Sequence, residues 1–450
     1  MEVKGQKKKK HTIFRIFLIP LIAIMLVQSM ITIGSLVTRR ITGVLEEYSS
    51  GMMNRLVENR KVILQNEMNQ RWASIREQEI LMDGILEQFL GEKGVKTEQL
   101  LESEALREEL LAQLFPECVE LVHNNTVTGI FFIFTGPDMQ AEGEFDGFFI
   151  RDSDPDTSPV NHTDLLLERG HKQLSREWNI PLDTHWTTRF RMDGKGRNPS
   201  DDYFYEPWMA GVEHMDAAAA DLGYWSMPFR LEKEVADSYE MITYSLPLRH
   251  EGQVYGIFGV EISCHYINDY FPIAELNDAQ QSGYMLAVKQ EDGSYIPLVG
   301  KGMLYNNVRT QGKTFVLKGT DYENLFLVEN ARIDDDPIYA VACPLKLYSN
   351  NVPYQNTEWV LLGLKTEDDL FGMSHQLYVW MVIAILVGLV FGVIGIYFVV
   401  RHLTKPVQRL MQCIIRGESG LQEFRPSNIL EIDALYDVVK NLTNRQKEAQ

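Results

Sequence analysis

Two apolar runs, residues 16–37 and 377–400, contain no Asp, Glu, Lys or Arg, and they bracket about 340 largely polar residues. At a rise of ~1.5 Å per residue, twenty or more helical residues cross a hydrocarbon core of ~30 Å. A water-soluble fold must bury such a run on every side, whereas a bilayer solvates it directly. The layout predicts a two-pass membrane protein with a folded body on one side and short segments on the other.

The flanks predict orientation. Lys4, Lys7, Lys8, Lys9, Lys10 and Arg15 precede the first run against one acid, Glu2, and Arg401, Lys405 and Arg409 follow the second. Positive residues stay inside, so both termini are expected in the cytoplasm and the middle outside the cell membrane. The first run is long for a signal-peptide core and is followed by Thr38-Arg39-Arg40, so it reads as an uncleaved anchor. Residues 1–15 carry six basic and one acidic side chains, residues 401–450 eight and six, and the whole chain −19, which leaves −26 on residues 38–376. A body that acidic repels nucleic acid, so no nucleic-acid partner is expected. Cys118, Cys264 and Cys343 fall outside and Cys413 inside. An odd number at long spacing gives no disulfide framework, although one bridge stays open, and without Cys-x-x-Cys there is no zinc ribbon.

Residues 38–90 lack proline and space Leu45, Met52, Leu56, Val62, Ile63, Met68, Trp72, Ile75, Ile80, Leu81, Ile85 and Phe89 among charges, which predicts one long helix. The competing reading breaks it near Ser49-Ser50-Gly51. A second helix is expected over 97–114, ended by Pro116. Strand patterns then dominate: 128–135, 147–151, a hairpin over 238–263 turning at 249–252, and, after a helix at 265–271, the runs 284–288, 295–298, 314–317, 324–328, 337–344 and 359–364. Asp152, Asp154 and Asp156 have the alternation of a calcium loop, but Thr157 and Thr163 stand where its glycine and glutamate belong, which favours a solvated loop. The expected architecture is α+β: a long N-terminal helix and two antiparallel-sheet modules in series, about 115–270 and about 282–370.

Four ordered segments, Tyr203-Phe-Tyr-Glu-Pro-Trp208, Leu222-Gly-Tyr-Trp-Ser-Met-Pro-Phe229, Ile242-Thr-Tyr-Ser-Leu-Pro-Leu248 and Gly256-Ile-Phe-Gly-Val-Glu-Ile262, together with the anchor–helix–body–anchor layout, resemble the double-Cache family over residues 38–375. These are extracytoplasmic sensor domains of bacterial receptors, sensor kinases and cyclic-dinucleotide enzymes, with two PAS-like sheets. The resemblance implies a ligand pocket in the membrane-distal module, within about 120–265. In the amino-acid-binding branch an arginine two residues before a tryptophan grips the carboxylate, a tyrosine follows sixteen residues later, and a strand aspartate holds the ammonium. Here Trp208 and Tyr224 match that spacing, Glu206 takes the arginine position and Met209 replaces a tyrosine; Ser226 stands where an acid is expected, and Glu261 is the strand acid. Arginine grips a carboxylate through a bidentate charged fork, and glutamate repels it. If Glu206 and Glu261 both face the pocket, two anions among aromatic walls suit a cation, whether an amine, a polyamine or a quaternary ammonium, and the expected partner is a small amine or amino-acid-like ligand. Glu206 as an outward loop residue, Trp208 and Tyr224 as core, and Glu261 as half of a salt bridge remain equally open.

Residues 405–416 and 431–442, with Pro406 near the start and Ile432, Leu435, Val439 and Leu442 at helical spacing, resemble the two helices of a HAMP relay joined by a short connector. That resemblance implies a homodimer and an output beyond residue 450, a diguanylate cyclase or a histidine kinase in a longer protein. No phosphate loop, His-Glu-x-x-His or Gly-x-Ser-x-Gly occurs, so no enzyme is expected in this chain, and no catalytic residue, metal or cofactor is assigned. The leading expectation is a receptor that relays binding of a small extracellular ligand across the bilayer. The alternatives are a membrane-anchored scaffold that binds protein, and an extracellular metal enzyme built on His162, His171, His185 and His214.

Overall fold

The computed structural model describes residues 13–37, 40–136, 139, 144–153, 164–183, 186, 188–190, 198–231, 239–276, 280–349, 352–425 and 429–448. The centre of the Asp-rich loop, His162, His185 and the basic tail through residue 12 lie outside them. The chain forms two compact units, Glu47–Leu370 and the pair of terminal segments Met1–Glu46 with Phe371–Gln450.

From the N-terminus the helices run α1 (Ile13–Val37), α2 (Arg40–Asn66), α3 (Ile75–Lys93), α4 (Thr97–Glu102) and α5 (Glu104–Asn124). The long helix is interrupted, though not at Ser49–Gly51. Between α2 and α3 lie a π turn, Glu67–Arg71, and a 3₁₀ turn, Trp72–Ser74. Trp72 is the cause we identify. It is fully buried, with ring centroids 6.4 Å from Trp225, 6.1 Å from Tyr266 and 5.5 Å from Tyr270. A helix that widens and then tightens around one large side chain is a recognised way to seat it. The buried stripe is Met53, Val57, Leu64, Met68, Trp72, Ile75, Met82, Leu86 and Phe89, while Met52, Val62, Ile63, Ile80 and Leu81 are exposed. Apolar residues on two sides of one helix do not reveal which side meets the body. Pro116 sits inside α5 instead of ending it, where Phe115, Cys118, Val119 and Val122 bury the following turn.

The first sheet comprises β1 (Gly129–Phe134), β2 (Gly147–Asp152), β3 (Leu165–Glu168), β4 (Leu182–Asp183), β5 (Tyr224–Trp225), β6 (Met241–His250) and β7 (Gln253–Ser263), in the order β4-β3-β2-β1-β7-β6-β5. All pairings are antiparallel except β3 with β4. The helices α6 (Lys172–Trp178) and α7 (Asp202–Glu213) fall between its strands, and α8 (Cys264–Asp269) follows it. Aromatic rings dominate one core, with Phe131, Phe190 and Phe229 packed against Tyr203.

The second sheet holds β8 (Ser282–Lys289), β9 (Tyr295–Lys301), β10 (Leu317–Gly319), β11 (Leu325–Ile333), β12 (Asp336–Leu345) and β13 (Glu358–Thr366), ordered β10-β11-β12-β13-β8-β9 and antiparallel throughout. Helix α9 (Met303–Gln311) buries Leu304, Tyr305 and Val308 against it. Gly363 on β13 lets α2 approach closely, because a Cβ there would collide with the Val57 side chain. The α+β architecture with a long helix and two antiparallel-rich sheets is thus present.

The terminal unit holds α1, most of α10 (Glu367–Ile415), α11 (Glu418–Gln422) and α12 (Leu430–Glu448). Among the described residues one helix, α10, is long and apolar enough to cross a membrane, with an 18-residue window of mean hydropathy 2.9 and none of it buried. α1 contributes a shorter apolar stretch, Phe17–Thr32. Pro406 lies inside α10, which runs on to Ile415. Tyr436 of α12 donates its hydroxyl to the Leu421 carbonyl at 2.7 Å and stacks on Phe424 at 4.6 Å. All four cysteines are free, with Cys118, Cys264 and Cys343 buried.

Candidate ligand-binding site

The first sheet module contains a cavity of about 270 Å³ lined by Trp186, Asn198, Ser200, Asp201, Tyr203, Phe229, Arg230 and Leu231. Local chemistry explains one wall. Asn198 Oδ1 accepts the Ser200 backbone N–H at 3.3 Å and its hydroxyl at 2.8 Å, which closes a 3₁₀ turn with Pro199 at its first position. α7 starts directly after this turn and places Tyr203 in its first coil. Phe229 is held opposite by two backbone hydrogen bonds with Met241, at 3.0 and 2.9 Å. The Tyr203 and Phe229 rings lie 4.9 Å apart and almost parallel, and Phe131 meets Tyr203 edge-on at 5.2 Å.

Tyr203 is only 1% exposed, and its hydroxyl has no hydrogen-bond partner among the described residues. A buried unsatisfied hydroxyl costs about 1–3 kcal/mol. Burial, helped by the charge of Asp201 and opposed by Arg151, lifts this phenol well above its ordinary pKa, so it remains a donor. The cavity therefore offers aromatic faces, the Tyr203 donor, an acid at Asp201 and a cation at Arg230, which lies 3.9 Å from Glu240. Such a set recognises a small polar molecule with an acceptor group.

A buried ionic cluster lies in the same sheet. Arg151 on β2 donates its Nε to Glu261 Oε2 on β7 at 3.0 Å and its Nη1 to Glu168 Oε1 on β3 at 3.3 Å. Its guanidinium lies 4.3 Å from the centre of the Tyr239 ring, and Tyr239 donates its hydroxyl to Glu261. Thr128 donates to the same carboxylate at 3.2 Å. Burial alone would favour neutral Arg151, but the Glu261 carboxylate, then the Tyr239 hydroxyl and the Glu168 carboxylate, outweigh it and raise its pKa above the ordinary value.

None of the five residues singled out from the sequence lines the cavity. Glu206 and Tyr224 meet instead at Tyr354, which donates its hydroxyl to the Glu206 carbonyl at 2.8 Å and sits 5.0 Å from the Tyr224 ring. Trp208 is half-buried against the aromatic core, 5.8 Å from Tyr205. Ser226 is buried, and its hydroxyl accepts the Thr243 N–H at 2.9 Å. Glu261, fully buried, belongs to the ionic cluster. Sequence reasoning missed Trp186, Tyr203, Phe229 and Arg151. Arg151 had a signal, being a cation closing the apolar strand Gly147-Phe-Phe-Ile. Of the histidines considered for a metal, His171 instead pairs with Glu108 at 2.8 Å.

No family model matches this chain, and no curated protein does. Solved structures do. The ligand-binding domain of the Pseudomonas fluorescens chemoreceptor CtaA with L-leucine is 12% identical, covering 73% of this chain and 97% of its own, with a TM-score of 0.30. The periplasmic sensory domain of a Campylobacter jejuni chemoreceptor is 12% identical, over 71% and 96%, with a TM-score of 0.34. The ligand-binding domain of the Pseudomonas aeruginosa amino acid chemoreceptor PctB with L-Arg is 14% identical, over 72% and 96%, with a TM-score of 0.31. The superpositions are loose. The chain's structural neighbours thus include ligand-binding and periplasmic sensory domains of chemoreceptors, and the extracellular domain of a protein named as a putative histidine kinase.

Proposed function

We propose that this chain is a transmembrane signal receptor. It binds a small extracellular ligand in the first sheet module and passes the change through α10 to the HAMP-like helices, and so to a cytoplasmic output. The observation that carries the reading is the Tyr203 hydroxyl, buried at the wall of an aromatic cavity and without a partner among the described residues. A fold retains that cost when something bound removes it. The ligand is amine- or amino-acid-like: its cation meets Asp201, its acceptor meets Tyr203, and its apolar part lies on Trp186 and Phe229. Glu261 carries an internal counter-ion in Arg151, so it serves the site by holding β2 and β7 in place. Glu206, Trp208, Tyr224 and Ser226 serve it through α7 and β5.

Two-pass topology with both termini inside rests on the basic flanks and on the two uncharged apolar runs of the sequence. Signalling requires that the ligand bind two states differently. Dimerisation through the HAMP-like pair would supply the second packing.

The test is a thermal-shift panel of amines, amino acids and carboxylates on the full chain in nanodiscs, with titration of each hit. A hit that Tyr203→Phe weakens supports the proposal. A hit indifferent to Tyr203, Asp201 and Arg230 removes this cavity from it. A panel with no hit favours the protein-binding scaffold.

A further inference from the structure

A second cavity, of about 280 Å³, lies where the interrupted helix meets both sheet modules. Asn69 and Arg76 line it from either side of the Trp72 turn, Asp221 and Gly223 line it beside β5, and Lys346 and Tyr348 come from the segment after β12. It shares no lining residue with the cavity around Tyr203.

Its charges are unusual for this chain. The body of the protein is strongly acidic, and most of its buried or half-buried cations are paired. Among the described residues neither Arg76 nor Lys346 has an ion-pair partner. Arg76 uses its Nε to donate to the Tyr244 hydroxyl at 2.6 Å and its guanidinium lies 5.2 Å from the centre of that ring, which aims the side chain without pairing its charge to a carboxylate. Lys346 is anchored only through its backbone, donating its N–H to Gln65 Oε1 at 2.8 Å and accepting from Asn69 Nδ2 at 2.8 Å. Asn69 Oδ1 is buried with no hydrogen-bond partner among the described residues. The lining thus combines two cations, one orphaned acceptor and one acid, the exposed Asp221.

We propose that this seam is a binding site for a small oxyanion, a carboxylate or a phosphate, bridged between Arg76 and Lys346. Two cations lining one cavity can meet two oxygens of one oxyanion through charge-assisted hydrogen bonds. A hydroxyl on the ligand satisfies Asn69 Oδ1, which favours a hydroxy acid or hydrogen phosphate over a bare carboxylate. Asp221 sets an opposing field that weakens the site. Because its walls belong to the interrupted helix and to both modules, an occupied seam ties the Trp72 turn to the segment after β12. The site is a point of control separate from the Tyr203 cavity, and it stands whether or not that cavity takes a ligand.

The test is calorimetric titration of the full chain in nanodiscs with L-malate and, separately, with inorganic phosphate. Saturable binding of either probe, weakened about tenfold or more by Lys346→Glu, strengthened by Asp221→Asn and unchanged by Arg230→Gln, supports the proposal, and the probe that binds identifies the source. Lys346 is exposed, so its variant folds even where Arg76→Gln fails through loss of the Tyr244 bond. Absence of binding by both probes overturns the proposal. So does binding indifferent to Lys346→Glu, or binding lost in Arg230→Gln.

Discussion

Arg151 and Glu261 meet at 3.0 Å although β1 lies between their strands. Gly129 of β1 is in register with both, and its missing side chain opens the space above the sheet where they join. A Cβ at this position would lie 2.9 Å from the Ile150 carbonyl and 3.1 Å from Glu261 Oε2. The pair therefore clamps three strands through a gap one residue wide. It also gives Glu261 an internal counter-ion.

Arg151→Met should destabilise the body by about 3–5 kcal/mol, because it leaves Glu261 and Glu168 without their cation in a buried setting. Adding Glu261→Gln should recover a large part of that loss. Urea unfolding of the two variants checks this. A double variant no more stable than the single one would mean that Glu261 is not the partner that matters.

Gly129→Ala should cost about 1–3 kcal/mol, since the new methyl group has backbone on one side and a buried carboxylate on the other. Unfolding midpoint is the measurement. A neutral effect would show that the strands separate easily at this point.

Tyr203→Phe should leave the ligand-free protein equally stable or more stable by about 1 kcal/mol, because the hydroxyl it removes has no partner. The same variant should weaken the ligand by roughly tenfold. Loss of stability without ligand would indicate that the hydroxyl is already satisfied.

Asp83 and Glu79 on α3 predict a pH effect. Burial raises both above the ordinary carboxylate pKa; the Tyr255 hydroxyl, His250 and Arg249 oppose the shift at Asp83, while Asp83 adds to it and Arg249 opposes it at Glu79. The folded state then holds protons that the unfolded state has released, so stability falls as pH rises from about 4 through the folded pKa values. Asp83→Asn should flatten that fall. Unfolding measured from pH 4 to 8 checks it, and a wild-type curve that rises over this range would contradict the assignment.

The strands were legible because alternation and β-branched or aromatic content mark them directly. Gly129–Phe134 and Gln253–Ser263 fall within a residue or two of their expected runs. The short strands at 165–168, 182–183 and 224–225 were not, since two to four residues carry too little periodicity. Membrane-length apolar runs, the acidic body and the basic flanks are likewise properties of composition along the chain, independent of folding.

The site was not legible in that way. Tyr203, Phe229 and Trp186 lie far apart in sequence and converge only because α7 packs on the sheet and Phe229 pairs with Met241. The interruption at Trp72 depends on Trp225, Tyr266 and Tyr270 arriving from elsewhere. Whether Glu261 faces a ligand or an arginine depends on which side chain stands two strands away, across a glycine. Local sequence determined where the chain is apolar, extended or helical, because those preferences act between neighbours. Tertiary structure alone decided which charges are compensated and which polar groups are left unmet, because burial and pairing act between residues that only the fold brings together.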